Sequence, residues 1–259
     1  MGEAPYEGEE VRGRDCSFGS LRRGTPRRGE RRPFFAHDHG KKPNAAPNPS
    51  LQRSPPSAVV DLFQGQLKCT LTCASCSSTR EKFEPFLCLT LPMAADFDAM
   101  LSSFEKAETL SGDCAVTCEK CGGRKEHTKT MQLWTMPPVL LVSVKRFDGR
   151  SKLKGRVRYP ETGLDFERKA RGSAAGKSSY DLFGVVRHHG TRSSGHYTAL
   201  CKSRFGSWWL FDDSRVERHE GLVVDDDAYV LGYCRMVGGE REHARRQSVS
   251  LPDLWPGGR

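Results

Sequence analysis

The sequence predicts an α+β fold made mostly of antiparallel strands, with a zinc ribbon set into it. Three observations carry this. Two Cys-x-x-Cys pairs, Cys73/Cys76 and Cys118/Cys121, flank a long insertion. A single segment, Phe97, Met100, Leu101 and Phe104, spaces its apolar residues as one face of a helix. From Tyr180 to Tyr233 the chain reads as successive strands, expected at 181–187, 196–202, 207–211 and 228–235.

Composition narrows the class. The 259 residues suffice for one large or two small domains, and 36% are hydrophobic. No apolar run approaches the ~18 residues of a membrane helix. The most apolar stretch, Pro137 to Val144, is strand-sized, and the N-terminus lacks the apolar core of a secretory signal. Membrane association is therefore not expected. The localisation expected is intracellular, cytoplasmic and/or nuclear. The net charge is +9, but part of it sits in the run from Arg12 to Arg32, so nucleic-acid binding is not expected of the core. A zinc-ribbon nucleic-acid binder using that basic stretch is the remote alternative.

Taken in order, residues 1–57 read as a disordered basic tail rich in Pro, Gly and Arg, with too few large apolar residues to offset ordering entropy. Order is expected over 58–236. Val59 to Phe63 suggests a short helix, Gln66 to Leu71 alternates like a strand, and Phe83 to Leu91 reads as a second strand stopped by Pro92. Asp96 is placed to cap the helix that follows. Thr128 to Trp134 and Val139 to Val144 are strands split by Pro137-Pro138, and Gly155 to Phe166 is strand plus loop. Residues 172–179 form a polar loop, and 237–259 a flexible C-terminal tail in which Ser248, after Arg245-Arg246, resembles a basophilic kinase site.

Each Cys-x-x-Cys turn aims two sulfurs at one point, and Zn²⁺ prefers four tetrahedral thiolates. Cys73, Cys76, Cys118 and Cys121 are thus expected to hold one structural Zn²⁺, with Gly122 and Gly123 suiting the second turn. Four sulfurs leave no position for a reactive water. Cys114 is a minor competitor for Cys118, while Cys69, Cys88, Cys201 and Cys234 lie in apolar strand patterns that suggest core positions.

His196 opens a strand after Ser194-Gly195, and Asp212 ends the next one after Trp208-Trp209-Leu210-Phe211. A hairpin of those strands brings both to one end. A histidine held by a carboxylate is the pairing that general-base catalysis for a thiol or hydroxyl nucleophile uses. The same spacing also occurs for purely structural reasons. His188 and His189 read as strand histidines with local hydrogen bonds.

These pieces match a family. LFQGQLKCTLTCASC, FEPFLCLTLP, CEKCGGRKEHTKTMQLWTMPPVLLVSVKRF, YDLFGVVRHHG, SGHYTALCK, WWLFDDSRV and AYVLGY occur in an order and spacing that resemble the ubiquitin-specific proteases. The resemblance implies the fingers and palm of a papain-like cysteine protease fold, with the zinc site in the fingers. It implies ubiquitin and ubiquitinated proteins as partners, and thiol-dependent hydrolysis at the C-terminal glycine of ubiquitin as the activity. It places His196 as the catalytic histidine, Asp212 as the third catalytic residue and Asp213 as a supporting acid. It makes the four knuckle cysteines the zinc ligands, and Lys145-Arg146-Phe147 a structural match. Ser194 stands where the family usually shows a second glycine.

The family places its nucleophile in a Gly-Asn-Thr-Cys box, separated from the fingers by a helical thumb. Cys16, in GRDCSFGSL, lacks the Asn that helps build the oxyanion hole and the helical pattern that follows. The nucleophile is therefore unassigned, and the N-terminal thumb is expected to be missing. A shortened or partial catalytic domain and an inactive ubiquitin-binding pseudo-protease both fit this pattern.

Overall fold

The computed structural model describes residues 57–149, 151–166, 170, 179–237 and 240–241. Apart from Ser57, the expected basic tail lies outside them. So do Cys16, Ser248 and all of the expected polar loop but Ser179.

A short helix α1 (Ala58–Phe63) leads into strands β1 (Gly65–Cys73), β2 (Thr79–Phe86) and β3 (Leu89–Pro92). Helix α2 (Phe97–Glu105) follows, then β4 (Glu108–Leu110), a 3₁₀ turn at Gly112–Cys114, β5 (Val116–Thr117), β6 (Arg124–Lys125), β7 (His127–Thr135) and β8 (Val139–Lys145). The second half holds β9 (Leu164–Asp165), β10 (Ser179–Gly190), β11 (Gly195–Lys202), β12 (Trp208–Asp212), β13 (Arg215–His219), β14 (Ala228–Val237) and β15 (Glu240–Arg241).

These make two main sheets. The fingers are a four-stranded sheet in the order β2-β1-β7-β4, and β5 and β6 form a two-stranded ribbon. The palm runs β13-β12-β11-β10-β14-β8-β3, with β9 on β10 and β15 on β14. All palm pairs are antiparallel except β3 with β8.

Phe83 to Leu91 is not one strand. Its first part belongs to β2 in the fingers, the chain turns at Leu87-Cys88, and Leu89–Pro92 enters the palm as β3. Pro85 and Leu87 interrupt no apolar pattern, which is why the crossing is invisible in the sequence. Met236 does not end the ordered pairing either, since Met236 pairs with Arg241 and Val237 with Glu240.

Helix α2 starts where Asp96, in extended backbone, accepts a hydrogen bond from the Ala99 N–H at 2.9 Å. Its apolar face (Phe97, Met100, Leu101) is buried in one cluster with Leu89, Leu91, Leu140, Val142, Leu200 and Leu231. Phe97 meets Phe166 and Tyr233 edge-on, with ring centroids 6.1 and 6.0 Å away. The buried phenols are satisfied: Tyr180 donates to the Pro137 carbonyl at 2.7 Å, Tyr233 to Pro160 at 2.9 Å and Tyr159 to Val223 at 2.8 Å.

Cys69 and Cys234 are buried, but Cys88 and Cys201 are exposed, against the expectation of four core cysteines. Leu200 and Cys201 are consecutive on β11, so the pleat sends them to opposite faces, and Leu200 takes the core. Both palm faces are apolar in sequence, so parity could not be read from composition.

Candidate active site and metal centre

The candidate metal centre lies in the fingers, at the end of β1 and in the β5–β6 turn. Cys73 ends β1 and Cys76 lies in the turn beyond it; Cys118 and Cys121 occupy the turn between β5 and β6. Ser77, Gly122 and Gly123 take left-handed backbone (φ 56°, 67° and 75°), which lets each turn close tightly. Backbone bonds brace both turns, from Ser77 N–H to the Cys73 carbonyl at 2.9 Å and from Cys118 N–H to the Gly123 carbonyl at 3.0 Å.

The sulfurs converge. Cys73 Sγ lies 4.0 Å from Cys121 Sγ, and Cys76 Sγ lies 3.7 Å from Cys118 Sγ. All four sit within 4.8 Å of one another, and Cys114 is not among them. Four thiolates at the usual Zn–S length of about 2.3 Å would be separated by roughly 3.8 Å. The cluster therefore fits a tetrahedral metal ion. Burial opposes ionisation of Cys73, but the N–H groups of Cys76 and Ser75 outweigh it and bring its pKa down to about 6. Cys121, hydrogen-bonded to the Cys76 thiol, is pushed up to about 12. The Cys73 thiolate thus forms readily while Cys121 holds its proton.

The second centre lies at one end of the palm hairpin. The β11–β12 register pairs Ala199 with Phe211 and Lys202 with Trp208. That leaves His196 near the start of β11 facing Asp212 at the end of β12. His196 Nε2 donates to Asp212 Oδ1 at 2.5 Å, a short, charge-assisted contact. Nδ1 is thereby left as the nitrogen that can exchange a proton. The Asp212 hydrogen bond raises the His196 pKa; burial works against it, and the charges of Asp212 and Asp213 add to it. Asp213 follows in left-handed backbone (φ 49°), and its carboxylate clusters with His196 and Asp212 within 4.8 Å. Among the described residues, no cysteine joins that cluster.

The loop before His196 explains the Ser194 departure. Gly190 (φ 120°) passes so close to Ser194 that a Cβ there would lie 2.5 Å from the Ser194 carbonyl oxygen. That carbonyl accepts from Thr191 N–H at 2.7 Å, while the Ser194 side chain faces solvent. The position where glycine is required is Gly195. A Cβ on it would meet His188 Nε2 at 2.1 Å. His188 is itself buried against Tyr197 and Phe147, with centroids 4.7 and 5.4 Å away. Two residues that the sequence did not single out also reach this end of the palm: Asp227, just before β14, and Lys152. Neither lies in a recognisable motif, and they stand 75 residues apart.

Residues 35–233 match the family model for ubiquitin carboxyl-terminal hydrolase. The chain belongs to the ubiquitin carboxyl-terminal hydrolase family. Ubiquitin carboxyl-terminal hydrolase 2 of Gallus gallus is 38% identical over 189 residues, covering 68% of this chain and 53% of that protein. The Homo sapiens protein of the same name is 37% identical over 190 residues, covering 68% and 31%. Among solved structures, the SAGA Ubp8/Sgf11/Sus1/Sgf73 DUB module bound to ubiquitin aldehyde matches with a TM-score of 0.61 at 28% identity, covering 73% of this chain and 45% of that one. A yeast SAGA DUBm structure gives 0.61 at 30% identity, covering 69% and 42%. The chain thus spans about half or less of the length of these relatives, and its two sheets are the fingers and palm of their fold. No helix among the described residues is long and apolar enough to cross a membrane.

Proposed function

We propose that the protein is a deubiquitinase, a thiol protease that hydrolyses (iso)peptide bonds at the C-terminal glycine of ubiquitin. The observation that carries this is the His196–Asp212 pair, formed at 2.5 Å in a chain of this family. Asp212 fixes the His196 tautomer and stabilises its protonated form. His196 Nδ1 takes the proton of the attacking thiol and later delivers it to the leaving amine. Water then releases the acyl group, with His196 again as base. Asp213 adds negative charge beside the imidazolium. Ubiquitin and ubiquitinated proteins are the partners, and the relatives' ubiquitin-bound structures support this reading.

Cys73, Cys76, Cys118 and Cys121 hold one Zn²⁺ in this proposal. With four sulfurs in place, the metal cross-links the fingers and takes no part in the chemistry.

A second reading is favoured by one observation: no described cysteine joins the cluster of His196, Asp212 and Asp213. On that reading the chain binds ubiquitin without cutting it. One experiment separates the two. Ubiquitin carrying a thiol-reactive C-terminus is added to the zinc-loaded protein, and intact mass is recorded. An adduct on one cysteine that disappears in His196→Ala establishes the protease. Retained ubiquitin binding with no adduct establishes the binding module.

A further inference from the structure

A second histidine–carboxylate pair stands beside the first. In the β10–β11 register His189 is the direct cross-strand partner of His196. Directly opposed residues project from the same face of a sheet, with Cβ atoms about 5 Å apart. Both nitrogens of the His189 ring are engaged. Nδ1 donates to Asp227 Oδ2 at 2.9 Å, and Nε2 lies 3.2 Å from the hydroxyl of Thr198. Thr198 is two residues beyond His196 on β11 and is buried, so it projects from that same face.

Asp227 is anchored in turn. Its other oxygen accepts from Lys152 Nζ at 2.7 Å, and the Lys152 side chain is only 6% exposed. Lys152 also donates to the His188 carbonyl. The Asp227 carbonyl accepts from the His188 N–H at 2.9 Å, and its own N–H donates to Asp225 Oδ1 at 2.9 Å. The segment after β8, the start of β14, β10 and β11 are thereby tied together beside the His196–Asp212 pair.

The side chains of His196 and Asp212 are 49% and 40% exposed, and those of His189 and Asp227 42% and 36%, but the second pair is tied at both ends while His196 is held at Asp212. Little packing fixes the His196 ring, yet displacements near 1 Å in such a site cost large factors in rate. We propose that His189 is a positioning residue for His196, clamped by Asp227, Lys152 and Thr198 so that its ring buttresses the strand and imidazole opposite. The proposal rests on the reading of His196 as the general base.

The test uses the zinc-loaded protein labelled with ¹⁵N-histidine. NMR reports the tautomer and titration midpoint of His196 without any need for turnover. In His189→Phe the ring is kept but both polar ties are lost. The His196 midpoint should fall toward the ordinary imidazole value by roughly half a pH unit or more, because the Asp212 bond that raises it loosens. Labelling by thiol-reactive ubiquitin should slow about tenfold. His189→Gln retains a polar side chain able to reach Asp227 or Thr198 and should recover most of both effects. Thr198→Val removes one tie at nearly constant shape, and it serves if His189→Phe does not fold. A wild-type His196 midpoint and tautomer in a folded His189→Phe or Thr198→Val protein overturns the proposal. The absence of any ubiquitin adduct, wild type included, counts against the protease reading alone, since the midpoints decide the positioning role independently.

Discussion

Of the two nitrogens of His196, Nε2 is committed to Asp212, so the proposed hydrolysis runs through Nδ1. Asp212→Ala should lower ubiquitin cleavage about 10²-fold, because the ring loses its tautomer and its aim. Asp212→Asn keeps an acceptor oxygen, so it should lose much less rate, while removal of the charge lowers the His196 midpoint. A ring whose pKa is raised by folding adds stability that is complete below its ordinary value of 6.5 and is lost as pH rises through the raised value. The melting temperatures of wild type and Asp212→Asn should accordingly differ most in acid and converge above neutrality; a constant gap across pH would contradict the pair's electrostatic role. Gly195→Ala should cost roughly 2 kcal/mol in urea unfolding, since its Cβ would collide with His188 and with the His189 carbonyl. An unchanged midpoint concentration of urea would refute that packing. At this scale the His196–Asp212 contact was readable because a hairpin folds its own ends together. The His189–Asp227 contact was not, because its partners lie 38 residues apart and meet only through the non-consecutive pairing of β10 with β14.

Among elements, the fingers depend most on a single point. Strands β1, β2 and β7 converge on the four sulfurs, and beside them the two-stranded β5–β6 ribbon is tied to β2 by exposed contacts of Arg80 with Glu119 and the Thr117 carbonyl. A strong chelator should therefore raise hydrogen exchange across Gly65–Cys73, Thr79–Phe86 and His127–Thr135, while Val139–Lys145 and Ala228–Val237 stay protected. Unaltered exchange in the fingers after chelation would mean that the cysteines hold no structural metal. The convergence of the four cysteines could be taken from the sequence because two short Cys-x-x-Cys turns carry their own geometry. Helix α2 was equally plain, its apolar residues falling on one face behind Asp96. Strand partners were harder. The continuous apolar run FEPFLCLTL hides the point where the chain leaves the fingers for the palm, since both segments bury side chains. The short β4 and β13 carry no alternation long enough to read.

For the molecule as a whole, the palm's two faces differ in what covers them. Leu140, Val142, Leu200 and Leu231 are fully buried in the cluster that α2 covers. Arg146 secures the same side from within. Its buried guanidinium donates to the carbonyls of Ala228 (2.6 Å) and Gly155 (3.0 Å), joining the end of β8 to the segment after it and to the start of β14. Arg146→Met would strand those carbonyls and should cost roughly 3 kcal/mol in chemical denaturation; a stability equal to wild type would show that the joint is dispensable. The opposite face is less covered. Tyr197 is 52% exposed and Val216 42%, Cys201 is exposed, and Trp209 and Phe211 beside them are only half-buried. A contiguous apolar patch of that kind drives association in water. The chain by itself should bind a hydrophobic dye and sediment as concentration-dependent oligomers. Replacing Val216 with Thr should weaken both signals without lowering the melting temperature appreciably, because that side chain is exposed and lies outside the buried cluster. A monomer at every concentration, with low dye binding and a cooperative melt, would mean that this half-covered face is tolerated by water as it stands.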